Sequence, residues 1–182
     1  MAYIIGDIHD KIKTLETNSI DLIYTNPPFN TTKKNWDTPL CWEELWVEMD
    51  RVLKPTGVVL LHSAIPFTYD LIRVRKPKYN YVWIKSNPTN FYNGKKQPLR
   101  QVEEILVYYK GKHTYNPQMI GNEVIKHKRT NKYEEDYYGE QKPNESNHVG
   151  RFPTTYLGTF TRILQKKSPK SIHDDIMIRM IK

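Results

Sequence analysis

The chain has 182 residues, of which 38% are hydrophobic and 12% are aromatic, so it can bury one core and a small additional subdomain. Its longest uniformly apolar run, Val58–Leu61, is too short to span a bilayer, and no basic segment leads into an apolar stretch near residue 1. These features predict a cytoplasmic protein without membrane attachment. Cys41 is the only cysteine and the histidines show no metal-ligand spacing, so no disulfide and no metal site are predicted.

The net charge of +8 is unevenly distributed along the chain. Residues 1–72 hold 6 basic and 10 acidic side chains, whereas residues 73–112 hold 10 basic and 2 acidic ones. Residues 113–160 carry 6 of each, and residues 161–182 carry 6 and 2. Basic residues concentrated in one block and in the tail are what a polyanion-binding surface requires. A solvated basic surface is the alternative interpretation.

The first predicted elements are two strands separated by a helix. Tyr3–Ile5 reads as a short strand that ends at Gly6 and Asp7, and residues 8–15 favour a helix. The apolar run Ile20–Thr25 predicts the second strand.

The tetrapeptide Asn26-Pro27-Pro28-Phe29 directly follows that second strand. In an open α/β sheet, ligands bind at the carboxyl ends of strands. Two successive prolines fix φ and remove two backbone donors, so the Asn26 amide and the neighbouring carbonyls point in a fixed direction. With an aromatic ring added, the segment suits the binding of a planar base that carries an amino group. A proline-stiffened turn is the alternative.

The next segments predict a second repeat of helix and strand. Residues 30–37 read as a loop, residues 41–53 as a helix that Lys54–Gly57 terminates, and residues 58–62 as a buried strand. Residues 66–74 predict another helix, with proline in its first turn. The alternation of strands and helices indicates an α/β fold with parallel strands and crossovers. The apolar positions of the first of these helices are Trp42, Leu45, Trp46, Met49 and Leu53.

The pattern changes after residue 79. Tyr81–Ile84 and Glu104–Tyr109 predict two strands joined by a long loop, and loops of this length inside a compact domain are commonly functional. Residues 111–160 show little periodicity and predict an insertion with weak regular structure. Ser168–Ser171 reads as the cap of a final helix over Ile172–Ile181.

The order and spacing of several motifs resemble the exocyclic-amine DNA methyltransferases. The resemblance is especially to the permuted class, in which an Asp/Asn/Ser-Pro-Pro-aromatic motif precedes the cofactor-binding glycine loop. The motifs that carry the resemblance are Gly6-Asp7, Ser19–Ile23 with Asn26–Phe29 and Asn30, Trp36-Asp37, Arg51–Gly57, Trp83–Lys85, Pro98–Arg100 and Glu103–Leu106.

The resemblance implies an α/β fold built on an incomplete Rossmann-like, S-adenosylmethionine-dependent methyltransferase sheet with a target-recognition insertion. Residues 1–110 would form the catalytic half, residues 111–160 the insertion, and residues 161–182 a segment that returns to the methyltransferase domain. The implied partner is double-stranded DNA.

The resemblance also implies roles for the tetrapeptide. The side-chain carbonyl of Asn26 and the backbone carbonyl of Pro27 would accept hydrogen bonds from the target amino group. Pro28 would stiffen the loop, and Phe29 would stack on the flipped base. Asn26 is neutral where many relatives carry Asp, so it accepts less strongly and cannot act as a base.

Further positions match cofactor-binding and DNA-binding segments of the family. The implied cofactor residues besides Asn26 are Asp7, Ser168, Pro169 and Lys170, and a helix cap is the alternative role of Asp7. The implied DNA-binding residues are Lys95, Lys96 and Arg100 in the long loop, with Lys126, Lys128, Arg129 and Lys132 in the insertion. A mobile, solvated loop is the alternative for the insertion.

One family motif has no counterpart in this sequence. Relatives carry a Phe-x-Gly-x-Gly loop around the methionine part of the cofactor, but the eight glycines of this chain are never two positions apart. The expected function is therefore a DNA methyltransferase, with adenine N6 favoured over cytosine N4, that is truncated or forms half of a split enzyme. A homodimer or a second chain would supply the missing half. A non-catalytic DNA-binding remnant is the competing interpretation.

Overall fold

The structure is a computed structural model, and it describes residues 3–129 and 144–157. The chain forms two compact units. The described part of the first unit comprises residues 3–115 and 155–157, and that of the second comprises residues 116–129 and 144–154. The tail predictions, including the helix at 172–181, lie outside the described residues.

The first unit is built on a five-stranded mixed sheet of β1 (Ile20–Thr25), β2 (Leu53–Ser63), β3 (Tyr79–Thr89), β4 (Arg100–Tyr109) and β7 (Tyr156–Leu157). The strand order in the sheet is β1-β2-β4-β3-β7. β1 and β2 are parallel, β4 runs antiparallel to both of its neighbours, and β7 pairs in parallel with β3. β1, β2 and β3 therefore all run in the same direction, as the predicted crossovers require.

The helices of this unit occupy the predicted places. α1 (Ile8–Lys11) continues into a 3-10 turn at Ile12–Thr14, and the predicted helix is thus shorter and partly 3-10. α2 spans Trp42–Val52 and α3 spans Phe67–Val74. The cis peptide bond Ile65–Pro66 lies directly before α3.

The core lies between one face of the sheet and α2 and α3. α2 buries Trp42, Leu45, Trp46 and Met49 as predicted, whereas Leu53, predicted on the same helix, is buried as the first residue of β2. α3 adds Phe67 and Leu71. Burial of such side chains stabilises the fold by about 1.5 to 3 kcal/mol each. The sheet contributes Val59, Leu61, Leu106 and Tyr108 to this core.

The segment Lys54–Gly57 ends α2 as predicted, but it is extended and belongs to β2. The β1–β2 register passes from Ile20 opposite Leu53 to Leu22 opposite Val58, so the segment bulges out of the ladder. A Cβ atom on Gly57 would lie 2.7 Å from Leu53 Cδ1. Only glycine fits this close approach without displacing a neighbour.

The predicted strand at Tyr3–Ile5 is wrong. These residues form no strand, and the side chains of Tyr3, Ile4 and Ile5 are 82%, 60% and 89% exposed. Their strand-like composition is overridden because no described strand lies beside them to pair with, and strands need cross-strand partners for stability.

β3 and β4 extend beyond the end of β1 as a two-stranded arm. Thr25, the last residue of β1, is level with Leu61 of β2, which pairs with Leu106 of β4. β4 begins at Arg100, six residues before Leu106. Because β4 runs antiparallel to β1, Arg100 lies beyond the level of Thr25, by about 20 Å at 3.3 Å per residue. The arm continues past the carboxyl end of β1.

The second unit contains an antiparallel hairpin that the sequence did not predict. β5 (Ile120–Arg129) pairs with β6 (Asn144–Arg151) from Ile120 opposite Arg151 to Arg129 opposite Asn144. The prediction of weak regular structure is wrong for this hairpin. The two strands were not recognised in the sequence because they are rich in exposed Lys, Asn, Glu and His. Their alternation of apolar and polar residues is too weak to signal strands.

Within residues 3–129 and 144–157, no helix is long and apolar enough to cross a membrane.

Candidate active site

The tetrapeptide Asn26–Phe29 leaves the sheet at the carboxyl end of β1, where the sequence predicted it. Asn26 is exposed, Pro27 is buried, and Pro28 and Phe29 are half-buried. The buried proline anchors the loop in the fold while the Asn26 side chain remains accessible to a ligand.

Asp37 organises the loop that follows, and its role was missed in the sequence. Its carboxylate is buried and accepts hydrogen bonds from the backbone N–H groups of Asn30 at 2.7 Å, Thr31 at 2.9 Å and Thr32 at 2.6 Å. Burial would raise the pKa of Asp37, but the hydrogen bonds from Thr32, Asn30 and Thr31 together hold it below its usual value. The carboxylate therefore stays ionised near neutral pH and fixes the turn after Phe29.

Phe29 stacks on Phe67 at the start of α3. The ring centroids are 5.0 Å apart and the planes are inclined by 21°. Phe67 also contacts Trp42, with centroids 5.9 Å apart. One face of the Phe29 ring is therefore held by the core, and this contact orients the ring.

Two grooves flank the tetrapeptide and share Pro28 in their lining. The first, of about 490 Å³, runs along β1 between α1 and α2 and is mostly apolar. Asn26 and Pro27 lie at its end. The second, of about 470 Å³, is lined by Phe29 and by the polar side chains of Asp70 and Arg73. The loop thus separates an apolar groove from a more polar one.

The first groove borders a sheet edge. β1 is the terminal strand of the described sheet, with β2 on one side and no described strand on the other. The apolar side chains of Ile8, Ile12 and Leu22 line the groove at this edge. An edge strand beside an apolar groove can accept a further strand.

The structure places only part of the predicted cofactor set. Asp7 caps α1, because its Oδ1 accepts a hydrogen bond from the backbone N–H of His9 at 2.8 Å. This is the alternative role considered for it, and it leaves the carboxylate exposed. Ser168, Pro169 and Lys170 lie outside the described residues.

A row of polar side chains crosses the opposite face of the sheet and was also missed. The hydroxyl of Tyr24 lies 2.6 Å from Nε2 of the fully buried His62. His62 Nδ1 lies 4.0 Å from the carboxylate of Glu103, which forms a 2.8 Å ion pair with Lys85. Each of the four residues comes from a different strand. The sequence signal for this row would have been a histidine within an apolar strand, with polar residues on the neighbouring strands at positions that face the same side of the sheet.

The environment fixes the protonation states of Tyr24 and Glu103 in this row. Burial raises the pKa of Tyr24 to about 12, so its hydroxyl keeps its proton near neutral pH. Burial would also raise the pKa of Glu103, but the nearby His62 and the ion pair with Lys85 hold it below its usual value. A protonated phenol and an ionised carboxylate therefore flank the imidazole.

The predicted DNA-binding residues of the long loop are accessible at the end of the arm. Lys95 and Lys96 are exposed and Arg100 is half-buried. The same loop exposes Phe91 to 66% and Tyr92 fully, and these aromatic residues were not singled out in the sequence. Their exposure depends on the 3-10 turn Phe91–Asn93, which the sequence did not reveal.

The predicted residues of the insertion lie on β5. Lys126 and Lys128 are exposed on the same face of the hairpin, opposite Asn147 and Glu145 respectively. Lys128 forms a 2.9 Å ion pair with Glu145. Arg129 ends the strand, and Lys132 lies outside the described residues.

In the described part of the chain, no group of three or more His, Cys, Asp or Glu side chains is arranged to hold a metal ion.

A family model described as DNA methylase, covering N6 and N4 methyltransferases, matches residues 20–175. The match includes the strand that carries the tetrapeptide and extends over most of the chain. The chain therefore belongs to the DNA methylase family, which confirms the resemblance inferred from its motifs. The methyl donor of this family is S-adenosylmethionine.

Solved structures support the same fold. The PvuII DNA methyltransferase, described as cytosine-N4-specific, matches with a TM-score of 0.52 and 14% identity over 98% of this chain and 69% of its own. M1.HpyAVI matches with a TM-score of 0.50 and 14% identity over 97% of this chain and 70% of its own. The predicted methyltransferase fold class is confirmed.

A third match is the Thermus thermophilus protein TTHA0409, with 22% identity and a TM-score of 0.45. It covers 62% of this chain and 54% of that protein. The chain thus spans between 54% and 70% of the lengths of the three structures.

Proposed function

We propose that this chain presents a flipped base of double-stranded DNA for methylation of its exocyclic amine by S-adenosylmethionine, with adenine N6 favoured over cytosine N4. The observation that carries the proposal is the rigid Asn26–Phe29 loop at the carboxyl end of β1, in a chain of the DNA methylase family. Membership in the family leaves the choice between the two bases open, so the test must identify the methylated base.

The loop supplies the acceptors that such a transfer needs. The side-chain carbonyl of Asn26 and the backbone carbonyl of Pro27 accept hydrogen bonds from the two N–H groups of the amine, which aims the nitrogen lone pair at the methyl carbon. A nitrogen–carbon bond forms as the carbon–sulfur bond breaks, and the amine then loses a proton to solvent. The contribution of the protein is positioning, because Asn26 cannot take up that proton.

Phe29 adds an aromatic face to the base site. Its contact with Phe67 holds the ring in one orientation, and its half-exposed surface is available to a base. Stacking of a base on an aromatic ring contributes about 1 to 3 kcal/mol. A fixed ring also loses little conformational entropy on binding.

The methyl donor occupies the apolar groove along β1 in this proposal. The groove ends at Asn26, and Asp7 lies directly before the α1 residues that line it. The edge of β1 receives a further strand that carries glycines close to the methionine part of the donor. A second polypeptide supplies that strand in this proposal, because no two glycines of this sequence stand two positions apart.

DNA is held through the basic residues of the long loop and of the hairpin. Lys95, Lys96 and Arg100 contact phosphates, which positions the duplex without reading its sequence. In the second unit, Lys126, Lys128 and Arg129 lie on a two-stranded ribbon, and such a ribbon fits the major groove, where base pairs are distinguishable. Target recognition is therefore assigned to β5 and β6.

The test is a methyl-transfer assay with radiolabelled S-adenosylmethionine, followed by mass spectrometry of the digested DNA. Asn26→Ala should lower transfer by on the order of 100-fold or more, because it removes an acceptor that acts at the reacting amine. Its DNA affinity should change little. Thr31→Ala, an exposed change in the same loop, is the matched control.

Each result separates the hypotheses. Methylated adenine that disappears with Asn26→Ala supports the proposal, whereas N4-methylcytosine corrects the base. Transfer that requires an added second polypeptide supports the split enzyme. DNA binding without transfer in either case supports the non-catalytic remnant, and undiminished transfer by Asn26→Ala refutes the role of this residue.

A further inference from the structure

The turn at the end of the β3–β4 arm exposes two adjacent aromatic rings. The Phe91 side chain is 66% exposed, and Tyr92 is fully exposed at 104% of its reference area. Large aromatic side chains usually bury most of their surface, because this burial contributes strongly to stability. Two neighbouring rings that project into solvent from one turn therefore require an explanation other than packing.

The turn is held in a defined conformation. Asn90 has a left-handed backbone with φ of 72°, and its side chain accepts a 2.8 Å hydrogen bond from Asn93 Nδ2. The backbone carbonyl of Asn93 accepts from the N–H groups of Lys96 and Gln97 at 2.8 and 3.0 Å. These contacts order the backbone on both sides of the rings, so the rings are presented by a built turn.

The charge beside the rings identifies the kind of ligand. Lys95 and Lys96 are exposed within four residues of Tyr92, and the stretch 90–100 contains no acidic residue. Aromatic faces flanked by cations suit a ligand that combines flat, polarisable rings with a polyanionic backbone. Single-stranded nucleic acid has both features, and its bases are free to stack.

The topology places this turn on the functional side of the sheet. β3 runs parallel to β1, and the arm extends about 20 Å beyond the level of Thr25. The turn and the Asn26 loop therefore both lie beyond the carboxyl ends of parallel strands. The width of a DNA duplex is similar to the length of the arm. When one DNA strand is bound at the Asn26 loop, the turn can therefore reach the other DNA strand.

We propose that Phe91 and Tyr92 form a stacking platform for an unpaired base of locally opened DNA, with Lys95 and Lys96 holding the adjacent phosphates. The inference rests on the proposed function, since a base that leaves the duplex exposes its former partner and neighbours. A platform for these bases offsets part of the cost of opening.

The experiment measures binding of the full chain to a single-stranded oligonucleotide of about 12 nucleotides, long enough to cover a single-strand site. It carries 2-aminopurine, whose fluorescence falls on stacking. Tyr92→Ala should weaken single-strand binding by roughly 5- to 150-fold and restore the fluorescence, which corresponds to the loss of one stacked base. Tyr92→Phe should retain both properties, because it keeps the aromatic face.

Tyr69→Ala is the matched control, because Tyr69 is 58% exposed on α3 and lies outside the turn. The inference is overturned if Tyr92→Ala binds like the wild type, or if the wild-type chain does not bind or quench the single strand. It is also overturned if Lys96→Gln weakens binding while Tyr92→Ala does not. Tyr92-dependent quenching in a chain that shows no methyl transfer, either alone or with the second polypeptide, keeps the inference and refutes the proposed activity.

Discussion

Two loops leave the same side of the sheet, and they are built in opposite ways. The loop after β1 is tied to the interior: Pro27 is buried, Phe29 stacks on Phe67, and the Asp37 carboxylate binds three successive backbone N–H groups. The loop after β3 is stabilised by its own short-range hydrogen bonds, and its side chains project into solvent. The first loop fixes a geometry, whereas the second presents a surface.

The difference shows what each loop can do. Alignment of a reacting nitrogen requires placement to within a fraction of an ångström, which only a loop packed against the core can supply. Contact with phosphates and unstacked bases tolerates variation in sequence and position, so an exposed turn suffices. Substitutions that break the contacts between the first loop and the core should therefore affect stability and turnover, and those in the second loop should affect binding.

The largest expected effect is that of Phe67→Ala. Removal of this ring leaves a cavity next to Phe29 and Trp42, and the free energy of unfolding should fall by about 3 to 5 kcal/mol. Urea denaturation measures the change. Tyr69→Ala on the exposed side of α3 should change it by less than about 0.5 kcal/mol. Similar losses for both variants would show that the first loop is not tied to the core.

Asp37→Asn should lower methyl transfer by on the order of 100-fold at neutral pH, because a misplaced loop misaligns the base. The asparagine has one acceptor oxygen for three N–H donors. DNA affinity measured by fluorescence anisotropy should remain nearly unchanged. Unaltered transfer would mean that the loop keeps its shape without the carboxylate.

The same carboxylate predicts a pH dependence. Because the pKa of Asp37 is lower in the folded chain than in the unfolded one, its stabilising effect is present above about pH 4 and is lost as the pH falls through the folded value. The stability difference between wild type and Asp37→Asn should therefore shrink below about pH 4. A difference that stays constant on acidification from neutral pH would contradict the assignment.

Tyr24→Phe should reduce the free energy of unfolding by about 1 to 3 kcal/mol, because it removes the hydroxyl that contacts the buried His62. Thermal or urea unfolding measures the loss. Tyr69→Phe, which removes a hydroxyl from an exposed ring, is the matched control and should be neutral. Equal effects would show that the polar row does not support the strand that leads into the first loop.

The smallest expected effect is that of Lys95→Gln combined with Lys96→Gln. For each phosphate that loses its cationic partner, the slope of log K against log salt for duplex binding should become shallower by about 0.9. Lys33→Gln with Lys34→Gln, in the first loop, should leave the slope unchanged. If both double variants gave the same slope, the two loops would not differ in their contacts with DNA phosphates.

Much of the fold and part of the site could be predicted from the sequence. The apolar run of β1 and the spacing of α2 are local signals, and the structure places both as expected. The order of the motifs predicted the family, which the family model confirms. The contacts of Asp37 and the row through His62 could not be predicted, because they depend on chain segments that meet only after folding. The Tyr3–Ile5 prediction failed for the same reason, since composition alone cannot supply a neighbouring strand.

The contacts of the polar row also depend on the register of the strands in the sheet. Tyr24, His62, Glu103 and Lys85 meet only when four strands are in one register. A slip of one residue would turn a strand's polar side chain towards the opposite face, where it would lose its neighbour in the row. Since Asn26 lies two residues beyond Tyr24, the row also helps to fix the position of the Asn26 amide relative to the end of β1. Contacts on the face of the sheet opposite α2 and α3 therefore help to position the proposed base site.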